Sequence, residues 1–325
     1  MSTQSLDRRL HTRRSWVVLG FSLALTTVTL YFIFRGIDRR FLARLLATQD
    51  RSLLGIAAFF ILLQIGLAGE RWRAILSATM RDRPPSMLSV QAVFYASIFF
   101  NCLPLGTGGG DIARVWLARK FALPLSHLVL SVLVDRIFTV VAFITLALAT
   151  LPIIKNPFAE TAWFVCASIL AAGGIGILLL GTIERLLGRW RHQRLTHLIL
   201  RTAEELQHLT RSAGLRGLTF ALASGLCVAL AAYCIALSLD IDIGPMPMVA
   251  VISLMTLVVA LPISVAGWGI REVSLVALLG LLRVDREAAL ILSVELGLLS
   301  TLLSLPGGAI WLTLRENHNV AVPTK

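Results

Sequence analysis

Charged side chains are scarce in this sequence and acidic ones scarcest: 18 Asp and Glu against 30 Lys and Arg, together 15% of 325 residues. A water-soluble domain carries about 25% charged residues, so a soluble catalytic domain is excluded. Cysteine is limited to Cys102, Cys166, Cys227 and Cys234. All four lie in apolar stretches without metal-ligand spacing, so they are small apolar residues that leave the redox compartment unread. The one long glycine run is not followed by Gly-Lys-Ser/Thr, and ATP binding is unsupported. Every histidine except His127 lies outside the apolar core segments, which leaves a Ser/His/Asp relay without members. His192, His197 and His208 have no carboxylate or cysteine set to complete a metal site. The sequence thus predicts no cofactor and no metal, and shows no evident synthase or hydrolase domain; a membrane enzyme using Asp or Glu alone is unsupported rather than excluded.

What is abundant is hydrocarbon. Apolar residues make up 57% of the chain, with a mean hydropathy of +0.81. They gather in blocks at 16–34, 53–69, 88–100, 125–151, 162–182, 218–239, 248–261, 273–282 and 288–312. Crossing about 30 Å of bilayer core takes about 20 helical residues. Six blocks are long enough. The blocks at 88–100, 248–261 and 273–282 reach only about 15–21 Å at 1.5 Å per residue, and read as half-spans. The block at 16–34 follows Arg8, Arg9, Arg13 and Arg14, is longer than a signal core and has no small-residue cleavage site, so it reads as the first span.

The net charge of +12 is topological rather than a nucleic-acid footprint. With the N-terminus inside, cytoplasmic stretches (1–15, 70–87, 111–124, 183–217, 313–325) hold 20 Lys and Arg. Outer stretches (35–52, 152–161, 240–247, 283–287) hold 8, and Arg136 and Arg271 stay within the membrane region. That split predicts both termini in the cytoplasm of a bacterial inner membrane. Residues 35–52 dissent, with five arginines outside, and an amphipathic turn at 41–46 lying in the interface accounts for them. Because 70–87 and 111–124 are both basic, the block between them enters and returns on one side, and 248–282 does the same from the other. The predicted fold is all-α: a single polytopic membrane domain over 1–325, with six spanning helices plus two re-entrant hairpins in an inverted repeat. Its halves are 16–151 and 162–312, its cytoplasmic tails 1–15 and 313–325, and 183–217 is a basic amphipathic segment on the cytoplasmic surface.

The hairpin tips carry the chemistry. The first runs Asn101-Cys102-Leu103-Pro104, then Gly108-Gly109-Gly110-Asp111 and Arg114; the second runs Pro262-Ile263-Ser264, then Gly267-Trp268-Gly269-Ile270-Arg271-Glu272. The spans that follow open with LVLSV at 128–132 and LILSV at 290–294. Short segments interrupted by Gly and Pro at matching places in two halves point to a transporter site. Free N–H groups at the helix starts favour phosphate, although Asp111 also suits an N-cap. Ser264 suits a headgroup or free backbone N–H groups, and Trp268 a headgroup or acyl chains. Arg271 below the surface costs at least about 2.5–3.5 kcal/mol unpaired. Adjacent helical positions do not face each other, so Glu272 is not expected as its partner. Asp135 and Arg136 sit mid-span, and Glu295 lies inside the last span. Arg136 with Glu295, or Arg271 with Asp135, would be structural pairs. Glu70 and Arg71 end the second span at the interface, with Glu70 a candidate partner for Arg114.

Together Glu70-Arg71-Trp72, Asn101-x-Leu103-Pro104 with its glycines and Arg114, Asp135-Arg136, and Pro262-x-Ser264-x-x-Gly267-x-Gly269-x-Arg271-Glu272 resemble the lysylphosphatidylglycerol synthase transmembrane-region family, over roughly residues 15–315. In the full-length synthases this region is the flippase part, and an aminoacyltransferase domain follows it. Here the chain ends thirteen residues beyond the last span, so the resemblance implies a stand-alone flippase-like protein. It would move an anionic or aminoacylated phospholipid or a polyprenyl-linked lipid between leaflets. By this likeness Asn101, Arg114, Arg136, Arg271 and Glu272 line the lipid path. Two other readings stand beside it: an accessory subunit partnering an envelope-lipid biosynthetic enzyme, and an intramembrane enzyme acting on lipid phosphate.

Overall fold

The structure, a computed structural model, describes residues 49–80, 84–102, 108–187, 194–260 and 270–319. The block at 16–34, the arginine-rich stretch up to residue 48, and Pro104, Pro262, Ser264, Gly267, Trp268 and Gly269 lie outside the described residues. Ten α-helices make up the fold, with no strand among the described residues. They are α1 (Arg51–Thr79), α2 (Met87–Cys102), α3 (Gly109–Ala118), α4 (Leu125–Thr150), α5 (Pro157–Leu187), α6 (Arg194–Ser238), α7 (Pro245–Ala260), α8 (Ile270–Gly280), α9 (Arg286–Ser304) and α10 (Pro306–Asn319).

Five stretches are long and apolar enough to cross a bilayer: Arg51–Thr79, Leu125–Ile153, Pro157–Ile175, His208–Ser238 and Arg286–Leu314. They match the five expected long blocks within the described residues, and the chain is an all-α polytopic membrane protein. The short blocks are helical too. The helices α2 and α7 are apolar and 16 residues each, about 24 Å long. Each is followed by a shorter helix, α3 or α8, packed back on it. One expectation changes. The basic segment 183–217 is not a separate surface helix, because its described parts are the end of α5 and the start of α6. The 45 residues of α6 extend about 67 Å, far more than a bilayer core needs, so the helix runs on beyond the membrane.

Helix ends follow local chemistry. Asp50 caps α1 by accepting from the Ser52 N–H at 2.8 Å and the Ser52 hydroxyl at 2.7 Å, and these bonds hold its carboxyl below the usual range. Pro124 precedes α4, and Pro306 breaks the last span between α9 and α10. At that break the Tyr95 hydroxyl of α2 donates to the Leu303 carbonyl.

Small residues set the packing, as they must where lipid is as apolar as the core. The most extensive contact is between α1 and α6, in a buried cluster that holds Ala57 and Ala68 on one side and Ala229, Ala231, Ala232 and Ala236 on the other. Gly217 and Gly225 let α6 approach Phe138 and Leu146 of α4. The span α4 packs on α7, while α9 and α10 pack on α2. Gly307 lies against the Tyr95 carbonyl, which a Cβ would strike. Gly307→Ala should therefore cost about 1–3 kcal/mol by overpacking. Gly174→Ala, which meets open space, should be neutral or stabilise by up to about 1 kcal/mol. Melting temperatures in detergent check the order, and equal effects would contradict this packing.

Candidate functional site

Five charged side chains form an alternating ladder where α1, α3 and α4 meet. Arg71 of α1 donates through Nε to Asp135 Oδ1 at 2.6 Å, and Arg114 of α3 donates through Nη1 to Asp135 Oδ2 at 2.8 Å. Arg114 continues to Asp111 Oδ1 at 3.6 Å. Asp111 Oδ2 in turn accepts from Arg136 Nε at 2.9 Å and Nη2 at 2.7 Å. Arg71, Arg114 and Asp135 are buried, while the Arg136 side chain is 44% exposed. The ladder thus runs from the protein interior to its surface with three guanidiniums and two carboxylates.

Each rung has a local cause. Arg71 and Trp72 are neighbours near the far end of α1, and Ser131 and Asp135 stand one turn apart on α4. The Trp72 indole donates to the Ser131 hydroxyl at 3.2 Å, so both pairs meet at once. Phe94 and Trp72 flank Arg114, whose guanidinium carbon lies 4.4 Å and 5.4 Å from their ring centres. Such contacts contribute about 0.5–2 kcal/mol each. Where α3 begins, Asn101 Oδ1 accepts from the Gly110 N–H at 3.0 Å. A Cβ on Gly110 would run into Asn101 and the Ser97 carbonyl, so glycine is needed there for close approach. Gly109 is buried beside it and Gly108 is exposed.

Several expected partnerships change. Asp111 is not the N-cap of α3, because the helix already starts at Gly109 and the carboxylate turns to Arg136 and Arg114. Glu70 does not meet Arg114. Its Oε2 accepts from Arg73 at 2.7 Å and its Oε1 from Gln91 at 3.2 Å. Arg136 pairs with Asp111 rather than Glu295, and Asp135 with Arg71 and Arg114 rather than Arg271. Arg71, expected at the interface, is only 6% exposed.

The second polar group lies between α8 and α9. Arg271 donates to Glu272 Oε1 through Nε at 3.1 Å and Nη2 at 2.5 Å, contrary to expectation. The rule against neighbours describes where Cβ atoms point, and a long guanidinium at the first turn of α8 can fold back onto the next carboxylate. Glu272 is buried. Gly297 of α9 receives the Arg271 guanidinium, which a Cβ there would displace; Gly297 was not singled out in the sequence. Glu295 is bound by the Gln49 amide at 2.6 Å, and the same amide reaches the Ser238 hydroxyl at 3.2 Å. Among the described residues no group of three His, Cys, Asp or Glu could hold a metal.

The arrangement is a membrane-embedded chain of guanidiniums fixed by carboxylates, with the chemistry to order an anionic group. The family model for the lysylphosphatidylglycerol synthase TM region matches residues 17–307. The chain belongs to that family. Comparison with curated proteins and with solved structures finds no match. Membership in the lysylphosphatidylglycerol synthase TM region family relates this multi-pass membrane protein to lipid handling.

Removing Asp135 tests the ladder. Asp135→Asn strands two buried guanidiniums and should cost about 3–5 kcal/mol. Arg136→Gln, at the exposed end, should cost no more than about 1 kcal/mol. Thermal unfolding in detergent reads both, and a tolerated Asp135→Asn would show that the triad does not hold the fold.

Proposed function

We propose that this protein is a lipid translocase, moving an anionic or aminoacylated phospholipid or a polyprenyl-linked lipid between leaflets without chemically altering it. In this reading α2–α3 and α7–α8 are re-entrant hairpins of an inverted repeat. Their tips bring phosphate-binding groups to mid-depth while acyl chains stay in the bilayer. The reading is supported by the recurrence of span, short helix pair and span in the two halves, and by the exchange of contacts between them, α4 on α7 and α9–α10 on α2.

The observation that carries it is the exposed end of the ion ladder. The Arg136–Asp111 pair is partly exposed on helices whose neighbouring surface is apolar, with Ile112 74% and Leu133 52% exposed. Arg136 lies eleven residues into α4, about 16 Å along it. The ladder carries three guanidiniums against two carboxylates, so at its exposed end an anionic headgroup would complete the charge balance. A phosphodiester meets that need, because guanidinium binds phosphate through two parallel N–H bonds. The inner rungs then have a positioning role: Asp135 holds Arg114, and Arg114 steadies Asp111. Asn101 ties the arms of the first tip together. Ser264 and Trp268 precede Arg271 and Glu272 in the sequence and are assigned to the second tip in this scheme.

The test is translocation of fluorescent phospholipid and polyprenyl-phosphate probes in proteoliposomes. The full chain should accelerate at least one probe over empty vesicles. Arg136→Gln should slow it by about tenfold to a hundredfold, the equivalent of one charge-assisted bond of about 1.5–3 kcal/mol, with little change in melting temperature. If the exchanged pair Arg136→Asp with Asp111→Arg restores full rate, the pair is structural and the headgroup reading fails. No acceleration with any probe would favour an accessory subunit of an envelope-lipid enzyme.

A further inference from the structure

Glu295 has no part in the ladder and its surroundings differ in kind. It lies nine residues into α9, where Oε2 accepts the Gln49 amide and Oε1 is buried without a hydrogen-bond partner. No Lys, Arg or His among the described residues lies within ion-pair distance of it. Arg71, Arg114 and Arg136 are all committed to aspartates. Arg271 is bound to Glu272 and seated on Gly297, about 200° around α9 from Glu295. The other charged or titratable groups on the helices packed against α9 are more remote along the chain. They are Arg286 and Glu287 at the start of α9 itself, Asp50 and Arg51 at the near end of α1, Tyr233, Cys234 and Cys227 on α6 with Asp240 just beyond it, Tyr95 on α2, and Arg315, Glu316 and His318 at the end of α10. Glu70, Arg71 and Arg73 lie at the far end of α1, and His208, Arg211 and Arg216 toward the far end of α6.

We propose that Glu295 is an exchangeable proton site, loaded from the aqueous phase at the membrane face where α1 begins and α6 ends, and that its proton is the ion coupled to lipid movement. The site itself stands on geometry; the coupling rests on the translocase reading. Three features argue for a proton. First, the partner of the carboxyl is a primary amide, which presents N–H to a carboxylate and, turned over, C=O to a carboxylic acid. Either protonation state of Glu295 is therefore met without moving a helix. Second, Ser238 beside it now accepts from the amide while donating to the Ile235 carbonyl at 2.7 Å, and by turning its one proton from that carbonyl to the amide oxygen it can follow a flip. Third, Oε1 is buried without a hydrogen-bond partner, so the charged form leaves one oxygen unsolvated, a cost that protonation of the carboxyl relieves. A metal cation would need several more oxygens around it, and the residues bound to Glu295 do not supply them.

Access follows from chain position. Gln49 is half-buried two residues before α1 begins, beside the exposed Asp50, and Ser238 is the last residue of α6. One side-chain length thus separates Glu295 from the end of the helix bundle. The ladder lies toward the other face, since Arg71 is about 30 Å along α1 from Arg51. Proton site and ion ladder would then lie toward opposite ends of α1, which carries Arg71 and begins just after Gln49.

Infrared difference spectra of the full chain in lipid nanodiscs, between acidic and alkaline buffer, test the site. A carboxylic-acid band should appear with pH, vanish in Glu295→Gln, and shift in Gln49→Leu, which removes the amide. Glu295→Gln keeps the size of the side chain and can still bond to Gln49; Gln49→Leu gives a second reading should it fold poorly. No titrating band, or one unchanged in Glu295→Gln, overturns the site. Proteoliposomes with the same fluorescent probes test the coupling. A pH gradient should change the wild-type rate severalfold and leave Glu295→Gln unchanged, whereas equal wild-type rates with and without the gradient overturn it. A titrating band with no lipid movement keeps the proton site and ends the translocase reading. Lipid movement without such a band does the reverse.

Discussion

One carboxylate, Asp135, is shared by two buried arginines, and the other polar contacts of the ladder depend on it. Two guanidiniums in a hydrocarbon-bounded interior cannot stand without an anion, and each needs its charge met at hydrogen-bond distance. Asp135 meets Arg71 with one oxygen and Arg114 with the other. This draws α1, α3 and α4 to a single point. Once Arg114 is held there, Asp111 on the same helix can reach Arg136, and the exposed end of the ladder is set by its buried end. Replacing the triad with apolar residues could leave the bundle equally stable. What the charges add is position, since a guanidinium at the surface is useful only when its height and direction are defined.

The apolar packing is subordinate to that demand. Short helices such as α3 and α8 have too few residues to span, and they keep their depth by close contact with longer ones. Gly110 admits Asn101, Gly297 admits Arg271, and Gly69 admits Gln91. In each case the missing side chain makes room for a polar group of a neighbouring helix rather than for an aliphatic one. The small residues of α1 and α6 have the opposite task, bringing two long spans together over apolar surface. Glycine and alanine thus separate the bundle into a rigid apolar seam and two polar pockets.

Much of this was legible in the sequence, and the limits of legibility are physical. Block length alone distinguished the spans from α2 and α7, because the rise per residue is fixed. Charge placement identified Arg114, Arg136, Asp135 and Glu295 as groups needing partners, since the cost of burying them does not depend on fold. The choice of partner was not legible. Arg71 ends an apolar block and looks interfacial, yet α1 runs on through Thr79 and carries it inside. Glu272 was set aside as the partner of Arg271 by a rule about Cβ directions, which a side chain with four rotatable bonds does not obey. The continuity of α6 through its basic stretch was missed for a related reason. Polar composition there indicates contact with water but leaves open whether the helix lies on the membrane or projects from it.

The two polar pockets are made of the same elements and are opposite in character. A short helix supplies Arg114 to α4 in the first, and another supplies Arg271 to α9 in the second. In the first pocket α4 answers with Asp135. In the second α9 offers Gly297, and the arginine turns instead to Glu272 on its own helix. The carboxylate that α9 does carry, Glu295, is directed at Gln49 of the opposite half. A duplication that kept the charge pairing would give two equivalent structural clamps. Here one clamp is closed by three helices, while in the other the acid is released from the arginine to a neutral amide. In the proposed scheme that difference would let the first pocket serve as a fixed anion-binding frame and leave the second to change its charge without dismantling the fold.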